Sequence, residues 1–314
     1  MAIDVLIVSL ASTGGWRTSD PELASAMVRA GARVAIVTAK PQRDVRTYAL
    51  TDLVWARAAR AAARRGLEEH DPRAIVYSST TAALLWPTPG AIRFDMLARD
   101  NRAGRDGLWQ RPLERRRLAQ SPLLVPMTPE QPGLCVPIAV EPSGDAIPPA
   151  QRDIAAITYA ADPVKRRLDL VLAAWEAVRR DGEQLVVAGI DRPDRGGVRF
   201  AGLLAPGEYR ALLRRARVFV AAPRREDYGI AALEALADGC VVATTPASGP
   251  YPALGLVRTL DPRLVTDDLP AAIRTGLDDP PPDWPRRALA ALAPFRRAAV
   301  DRVVAAELLP RLLS

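Results

Sequence analysis

The sequence predicts an α/β protein built from two doubly wound domains. Short apolar runs alternate with helical stretches, the order expected of parallel sheets covered by helices on both faces. The alternation breaks at Val140-Glu141-Pro142-Ser143-Gly144-Asp145-Ala146-Ile147-Pro148-Pro149 and then starts again. A Pro- and Gly-bearing break of that kind reads as a linker. Length agrees: 314 residues, 49% of them hydrophobic, suit two cores of about 150 residues, because single cores seldom grow past ~250.

In chain order, Ala2–Leu10 reads as a buried first strand, Pro21–Ala30 as a helix and Ala32–Thr38 as a second strand. Leu53–Glu69 forms a long helix rich in Ala and Arg, and Ala74–Tyr77 follows as a strand. Ala91–Phe94 and Leu123–Pro126 complete the first set of strands. After the linker, strands are expected at Ile154–Tyr159, Gln184–Ala188, Val198–Phe200 and Arg217–Ala221. Helices are expected at Leu168–Arg180, Pro206–Arg215 and Ile230–Ala237, and a final one near Arg296–Leu313. The predicted domains are therefore 1–147 and 148–295, with 296–314 as a closing helix.

Charge bears on partners only weakly. The net charge is +7 with a pI near 10.0, but the basic residues are nearly all arginine, Lys40 and Lys165 being the lysines. Clusters such as Arg57, Arg60, Arg64 and Arg65, or Arg115 to Arg117, lack the interleaved aromatics that stack bases, so a nucleic-acid partner is not expected. No apolar run approaches the ~20 residues of a membrane span, and the first residues carry no basic leader. Cys135 and Cys240 fall in different predicted domains and form no disulfide framework, which points to a reducing cytoplasm. With a single histidine, His70, and scattered cysteines, no zinc site or Ser-His-Asp hydrolase can be assembled.

The most informative stretch is Arg225-Glu226-Asp227-Tyr228-Gly229-Ile230-Ala231-Ala232-Leu233-Glu234-Ala235-Leu236-Ala237-Asp238-Gly239. The strand Val218-Phe219-Val220-Ala221-Ala222 leads into it, and Val241-Val242-Ala243 leads out. A strand that ends in a loop and opens a helix presents free N–H groups, a seat for phosphate. Glu226 falls in the loop and Glu234 inside the helix, so two carboxylates flank that seat. A carboxylate accepts hydrogen bonds from a vicinal diol, such as the hydroxyls of a ribose or a hexose.

These residues resemble the E-x7-E motif of retaining GT-B glycosyltransferases of the family 4 type, in the run Glu226-Asp227-Tyr228-Gly229, Glu234-Ala235-Leu236-Ala237-Asp238-Gly239 and Val241-Val242-Ala243. A second segment resembles the opening of that family's nucleotide domain: Tyr159-Ala160-Ala161-Asp162-Pro163-Val164-Lys165-Arg166-Arg167-Leu168-Asp169-Leu170. There the family carries Gly-Arg and a Lys that grip the donor diphosphate. Lys165 and Arg166 keep the basic element, but Ala160 and Ala161 stand in place of Gly-Arg. One cation is thereby lost, unless Arg167, Arg224 or Arg225 fills the space.

The resemblance implies two Rossmann-like domains facing a cleft, the nucleotide on the second and the acceptor mostly on the first. It implies a glycosyltransferase of hexosyltransferase type, using an NDP-sugar donor without a metal or other cofactor. The acceptor would be a saccharide or a lipid-linked saccharide in glycan biosynthesis. On this reading Glu226, Lys165 and Arg166 are catalytic. Glu234 would hold the ribose, with Gly229, Ile230, Ala231, Tyr228 and Gly202 also on the donor. In the first domain, Gly14 and Gly15 of Ser12-Thr13-Gly14-Gly15-Trp16 resemble the family's Gly-Gly loop. Arg93 or Asp95 would stand where many members place a histidine, since His70 sits in a polar loop. Two alternatives stay open: a GT-B sugar-nucleotide epimerase or phosphorylase, and a degenerate protein that binds nucleotide without catalysis. A peripheral contact with the inner face of the membrane is left open by Leu108, Trp109, Arg111 and Arg115 to Arg117, which equally suit a solvated helix.

Overall fold

A computed structural model describes residues 2–43, 45–102 and 104–314. The chain divides into two compact units, Met1–Ala139 with Arg297–Ser314, and Val140–Arg296.

The first unit runs β1 (Ala2–Ser9), α1 (Gly14–Arg29), β2 (Val34–Thr38), α2 (Tyr48–Glu69), β3 (Asp71–Tyr77), α3 (Thr80–Ala83), β4 (Ala91–Phe94), α4 (Ala98–Asn101), α5 (Gln110–Gln120) and β5 (Leu124–Pro126). All strand pairs are parallel, in the order β2-β1-β3-β4-β5. β1 is apolar on both sides because both faces of its sheet are covered. Val5 and Ile7 pack with Leu23 and Met27 of α1, and Val8 joins Ala59 and Ala63 of α2. α2 lies close on the sheet at Gly66, where a Cβ would come within 2.9 Å of Leu6 and Val37 side chains.

Two helices start earlier than their apolar periodicity suggests, and in both a threonine sets the start. Thr13 accepts from the Trp16 amide at 3.4 Å and begins α1 at Gly14, seven residues before the expected Pro21, which sits inside the helix. Thr47 accepts from the Leu50 amide at 3.2 Å and begins α2 at Tyr48 rather than Leu53. A side chain that satisfies an orphan N–H outweighs the pattern of the residues that follow.

The second unit continues with β6 (Ile154–Tyr159), α6 (Leu168–Val178), β7 (Leu185–Ala188), β8 (Val198–Gly202), α7 (Pro206–Arg215), β9 (Ala216–Ala221), α8 (Ile230–Ala237), β10 (Val241–Thr244), α9 (Pro252–Leu260), α10 (Leu269–Asp278) and α11 (Trp284–Ala291). Its strands are again parallel, ordered β10-β9-β6-β7-β8. The boundary lies at 139/140 rather than 147/148, because the linker is bound to this unit. Val140 donates to Phe295 O at 2.8 Å, Arg210 donates to Glu141 O at 2.7 Å, and Ser143 gives its N–H and hydroxyl to Asp238 at 2.8 and 2.9 Å.

The chain then returns to the first unit as α12 (Arg297–Val303), a π turn at Val304–Leu308 and α13 (Leu309–Leu313). Val300, Val304 and Leu308 join the α1 side of the core. Arg29 clamps Asp301 in a bidentate pair at 2.8 and 2.7 Å. The expected single helix is interrupted because Pro310 cannot donate and its ring crowds the carbonyl one turn back; a wider turn absorbs both effects. No helix among the described residues is long and apolar enough to cross a membrane.

Arg93 of β4 is buried inside the first unit. Its side chain and that of Asp20 are 2% and 1% exposed, paired at 3.1 Å. Ser9 at the end of β1 donates to the same carboxylate at 2.5 Å, and Arg93 also reaches Ser19 Oγ at 3.3 Å. Burial pushes the Asp20 carboxyl above its ordinary range, opposed by Arg93 and the Ser9 hydroxyl. Arg93→Ala should cost about 3–5 kcal/mol by leaving that carboxylate buried without its partner. Thermal unfolding reads the loss, and a variant within ~1 kcal/mol of wild type would show that the pair does not hold α1 to the sheet.

Candidate functional site

In an open parallel sheet, ligands bind beyond the carboxyl ends of the strands, where the strand order reverses. In the second unit the chain steps from β6 outward to β7 and β8, then returns to the other side of β6 as β9 and β10. The reversal lies between β6 and β9, and the loops leaving these strands are 160–167 and 222–229. They carry the two segments singled out in the sequence. A backbone contact holds them together, the Arg224 amide donating to Lys165 O at 3.0 Å, and the Glu226 amide ties the second loop to Ser248 O after β10 at 3.0 Å.

Each loop has a local reason for its shape. After β6, Asp162 accepts the Val164 and Lys165 amides at 3.1 and 2.9 Å, and its own carbonyl accepts from Arg166. The tight turn places Lys165 and Arg166 ahead of α6. After β9, the loop ends at Gly229, left-handed at φ 76°, whose carbonyl accepts from the Ala232 and Leu233 amides. The amides of Gly229, Ile230 and Ala231 thus open α8 at the carboxyl edge of the sheet.

Charges of both signs meet there. Glu226 is 4% exposed and forms an ion pair with Arg166. Asp227 takes Lys165 Nζ at 3.2 Å on one oxygen and Arg225 Nε at 3.0 Å on the other. A narrow pocket at this point is lined by Tyr159, Arg166, Glu226, Gly229, Ala231 and Tyr251. A more open hollow at the start of α6 is lined by Arg167, Asp169, Leu170, Ala173 and Arg224 and includes neither glutamate of the motif.

Glu234 lies one turn into α8. Its side chain is 21% exposed and 3.6 Å from Arg210 of α7. Arg210 is fixed by Asp238 at 2.6 Å, whose side chain has no exposure. Burial raises the Glu234 carboxyl to about 7, Arg210 opposing and Asp238 reinforcing the shift. Tyr209 stands beside it: its ring is 5.5 Å from that of Tyr159, and its buried hydroxyl has no hydrogen-bond partner among the described residues. Burial, with the Glu234 charge next, holds that phenol well above its ordinary range. A buried donor without a partner costs ~1–3 kcal/mol.

The structure therefore brings Lys165, Arg166, Glu226, Tyr228, Gly229, Ile230 and Ala231 to one loop pair, with Glu234 a turn away. Gly202 ends β8 on the far side of β7, where its carbonyl accepts the Gly189 amide at 2.8 Å. Sequence reasoning missed Tyr209, Arg210 and the part of Asp238. Tyr209 and Arg210 lie a whole strand ahead of the motif, Asp238 sits within it, and no local pattern announces that α7 packs against α8.

In the first unit, Gly14 and Gly15 form the first turn of α1 rather than a separate loop. Asp95 follows β4 and is partly buried. The reversal of this sheet, between β1 and β3, is occupied by the Ser9, Asp20 and Arg93 cluster. His70 closes α2, donating its amide to Gly66 O at 3.0 Å, ahead of β3 and hence at the opposite sheet edge. Burial lifts the thiols of Cys240 and Cys135 to about 12 and about 11, so neither supplies a thiolate at neutral pH.

Residues 153–278 match the family model described as Glycosyl transferases group 1, a segment that contains both loops. No curated protein matches the sequence. Among solved structures, the chain is similar to sucrose-phosphate synthase from Thermosynechococcus elongatus, with TM-score 0.74 and 18% identity over 99% of both chains. It is similar to HepE from Anabaena, solved with UDP and glucose, with TM-score 0.68 and 13% identity over 98% of this chain and 99% of that one. A third is an α,α-trehalose 6-phosphate synthase from Burkholderia multivorans, with TM-score 0.65 and 11% identity over 98% of each. The chain has the GT-B fold of two Rossmann-like α/β units, and its second unit holds the segment that is similar to the glycosyl transferases group 1.

Proposed function

We propose that the protein is a retaining glycosyltransferase of the family 4 type, moving a sugar from a nucleoside diphosphate donor to an acceptor hydroxyl without a metal. The observation that carries this reading is the placement of Glu226 and Glu234 around the opening of α8 at the strand reversal, with Lys165 and Arg166 on the facing loop. Glu234 accepts the ribose hydroxyls, with the Tyr209 hydroxyl beside it. Glu226 accepts hydroxyls of the donor sugar and orients it. The amides of Gly229 to Ala231, together with Lys165 and Arg166, stabilise the charge that grows on the departing diphosphate.

In the reaction, the bond from the anomeric carbon to the phosphate oxygen breaks, and the acceptor oxygen bonds to the same face. The acceptor proton passes to the departing phosphate oxygen, so no enzyme nucleophile is required. The acceptor is a saccharide or lipid-linked saccharide met in the cytoplasm. Lys165→Ala should lower kcat by about 10- to 100-fold, the effect of one charge-assisted contact made to the leaving group, with a smaller change in KM. An unchanged kcat moves the diphosphate grip elsewhere.

One observation favours a second reading. Lys165 and Arg166 are paired with Asp227 and Glu226, and Ala160 and Ala161 add no further cation. A protein that binds nucleotide and transfers nothing would look the same at these positions. Calorimetry with UDP, GDP, ADP and dTDP tests the site, and release of nucleoside diphosphate from donor sugars tests turnover. Micromolar binding of one nucleotide with turnover supports transfer. Binding without turnover on any acceptor supports the second reading, and no binding at all removes both.

A further inference from the structure

Five cations stand on the loops 160–167 and 222–229: Lys165, Arg166, Arg167, Arg224 and Arg225. Three of them meet acids of the same loops, Lys165 and Arg225 at Asp227 and Arg166 at Glu226. Arg167 and Arg224 do not. Arg224 gives Nε to Val164 O at 3.3 Å and its amide to Lys165 O, which fixes the stem of the side chain. Its two terminal nitrogens, and the whole Arg167 guanidinium, have no hydrogen-bond or acidic partner among the described residues. Both side chains line the hollow at the start of α6, whose volume is about 620 Å³. The unbalanced positive charge of the loop pair collects there, and not in the narrow pocket beside Glu226.

Arg167 holds its place in an unfavourable conformation. Its backbone lies at φ 48° and ψ 51°, a left-handed region that disfavours L side chains and that glycine enters freely. An arginine kept in such a turn with its charge unpaired points to work for the guanidinium. The rest of the lining adds different chemistry. Asp169, in the first turn of α6, is exposed and has no cation within 4 Å among the described residues. Leu170 and Ala173, three residues apart on the same helix, form an apolar strip beside it.

We propose that this hollow binds a phosphorylated sugar at a site separate from the donor. Arg167 and Arg224 take the phosphate, Asp169 accepts sugar hydroxyls, and the apolar face of the ring lies on Leu170 and Ala173. Two guanidiniums that no acid neutralises match a doubly charged phosphate. A carboxylate beside them repels a bare anion, and becomes favourable only when the ligand also carries hydroxyl donors. The volume suits a ligand of this size. The inference rests on these residues alone and holds whether or not the donor site transfers a sugar.

The test is calorimetry of the full chain with glucose 1-phosphate, glucose 6-phosphate, glucose and inorganic phosphate, each with and without a mixture of UDP, GDP, ADP and dTDP. One of the sugar phosphates is expected to bind, more tightly than inorganic phosphate and equally with nucleotide present, while glucose gives no signal. Arg224→Ala, at an exposed position, should weaken that binding about 10- to 100-fold. Arg167→Gly should do the same and melt no lower than wild type, because glycine keeps the turn. Asp169→Ala should weaken the sugar phosphate about tenfold and leave inorganic phosphate unchanged or tighter. Consumption of the sugar phosphate alongside a donor would mark it as the acceptor, and its recovery unchanged as an effector; both uphold the site. Failure of both sugar phosphates to bind overturns the proposal, as does undiminished binding in Arg224→Ala. Displacement by the nucleotides would assign the two arginines to the donor diphosphate instead. Inorganic phosphate that binds as tightly as either sugar phosphate would remove the sugar from the assignment.

Discussion

Glu234→Ala is expected to raise the dissociation constant for the donor's nucleoside diphosphate about 10- to 100-fold, the value of hydrogen bonds to a charged acceptor. The pH dependence is the sharper part. Burial, only partly opposed by Arg210, lifts this carboxyl to about 7, so the free protein loses the acceptor form as pH falls below 7. Nucleotide affinity should weaken over that range in the wild type and be flat in Glu234→Gln. Stability runs the other way. A carboxyl raised in the folded state contributes fully below its unfolded pKa, and that contribution is lost as pH rises through the folded value. Glu234→Gln should therefore match wild type near pH 4.5 and exceed it at pH 8, by up to about 3 kcal/mol. Calorimetry and thermal unfolding on the two variants separate the claims. Unchanged affinity in Glu234→Ala would sink the ribose assignment. A flat stability difference would show that Arg210 neutralises the carboxylate fully.

Arg210 explains why this carboxylate is held and not merely buried. Its guanidinium touches Glu234, Asp238 and the Glu141 carbonyl, and Asp238 in turn holds Ser143. The linker that leaves the first unit is thus bonded to the same arginine that orients the proposed ribose acceptor.

How legible this was in the sequence depends on the range of the interactions. β4, β6, α7 and α8 fall at Ala91–Phe94, Ile154–Tyr159, Pro206–Arg215 and Ile230–Ala237 as read, since each is bounded by its own turn or capping residues. The starts of α1 and α2 differ from the apolar pattern because a single threonine decides each. α9, α10 and α11 were not anticipated: their apolar faces are short and broken by prolines at their first turns. The loops around Glu226 and Lys165 were legible because spacing within a loop is local information. The Arg210–Glu234 contact and the burial of Arg93 were not, since both depend on which helix lies against which strand.

Gly229→Ala is expected to be among the most destabilising substitutions at the site, and two separate costs produce it. The residue sits at φ 76° and ψ 43°, where an L side chain costs about 1–2 kcal/mol. An added Cβ would also fall 2.5 and 2.6 Å from ring carbons of Tyr251 and 2.9 Å from Glu226 Cγ. Tyr251 is buried and its hydroxyl is engaged with Thr244, so the ring cannot turn away freely, and overlap of this kind adds about 1–3 kcal/mol. The sum predicts a fall in Tm of roughly 5–15 °C and a loss of nucleotide binding, because the Gly229 to Ala231 amides lose their aim. Gly207→Ala is the control: it lies at the start of α7 with nothing within 4 Å of its Cβ and should gain about 0.5–1 kcal/mol. Tyr251→Ala in the Gly229→Ala background relieves the overlap and leaves the backbone cost, so the double variant should be more stable than the two single losses predict. A Gly229→Ala protein that melts with wild type and binds nucleotide normally would mean that α8 opens by a different turn, and the anion seat would have to be sought elsewhere in the loop.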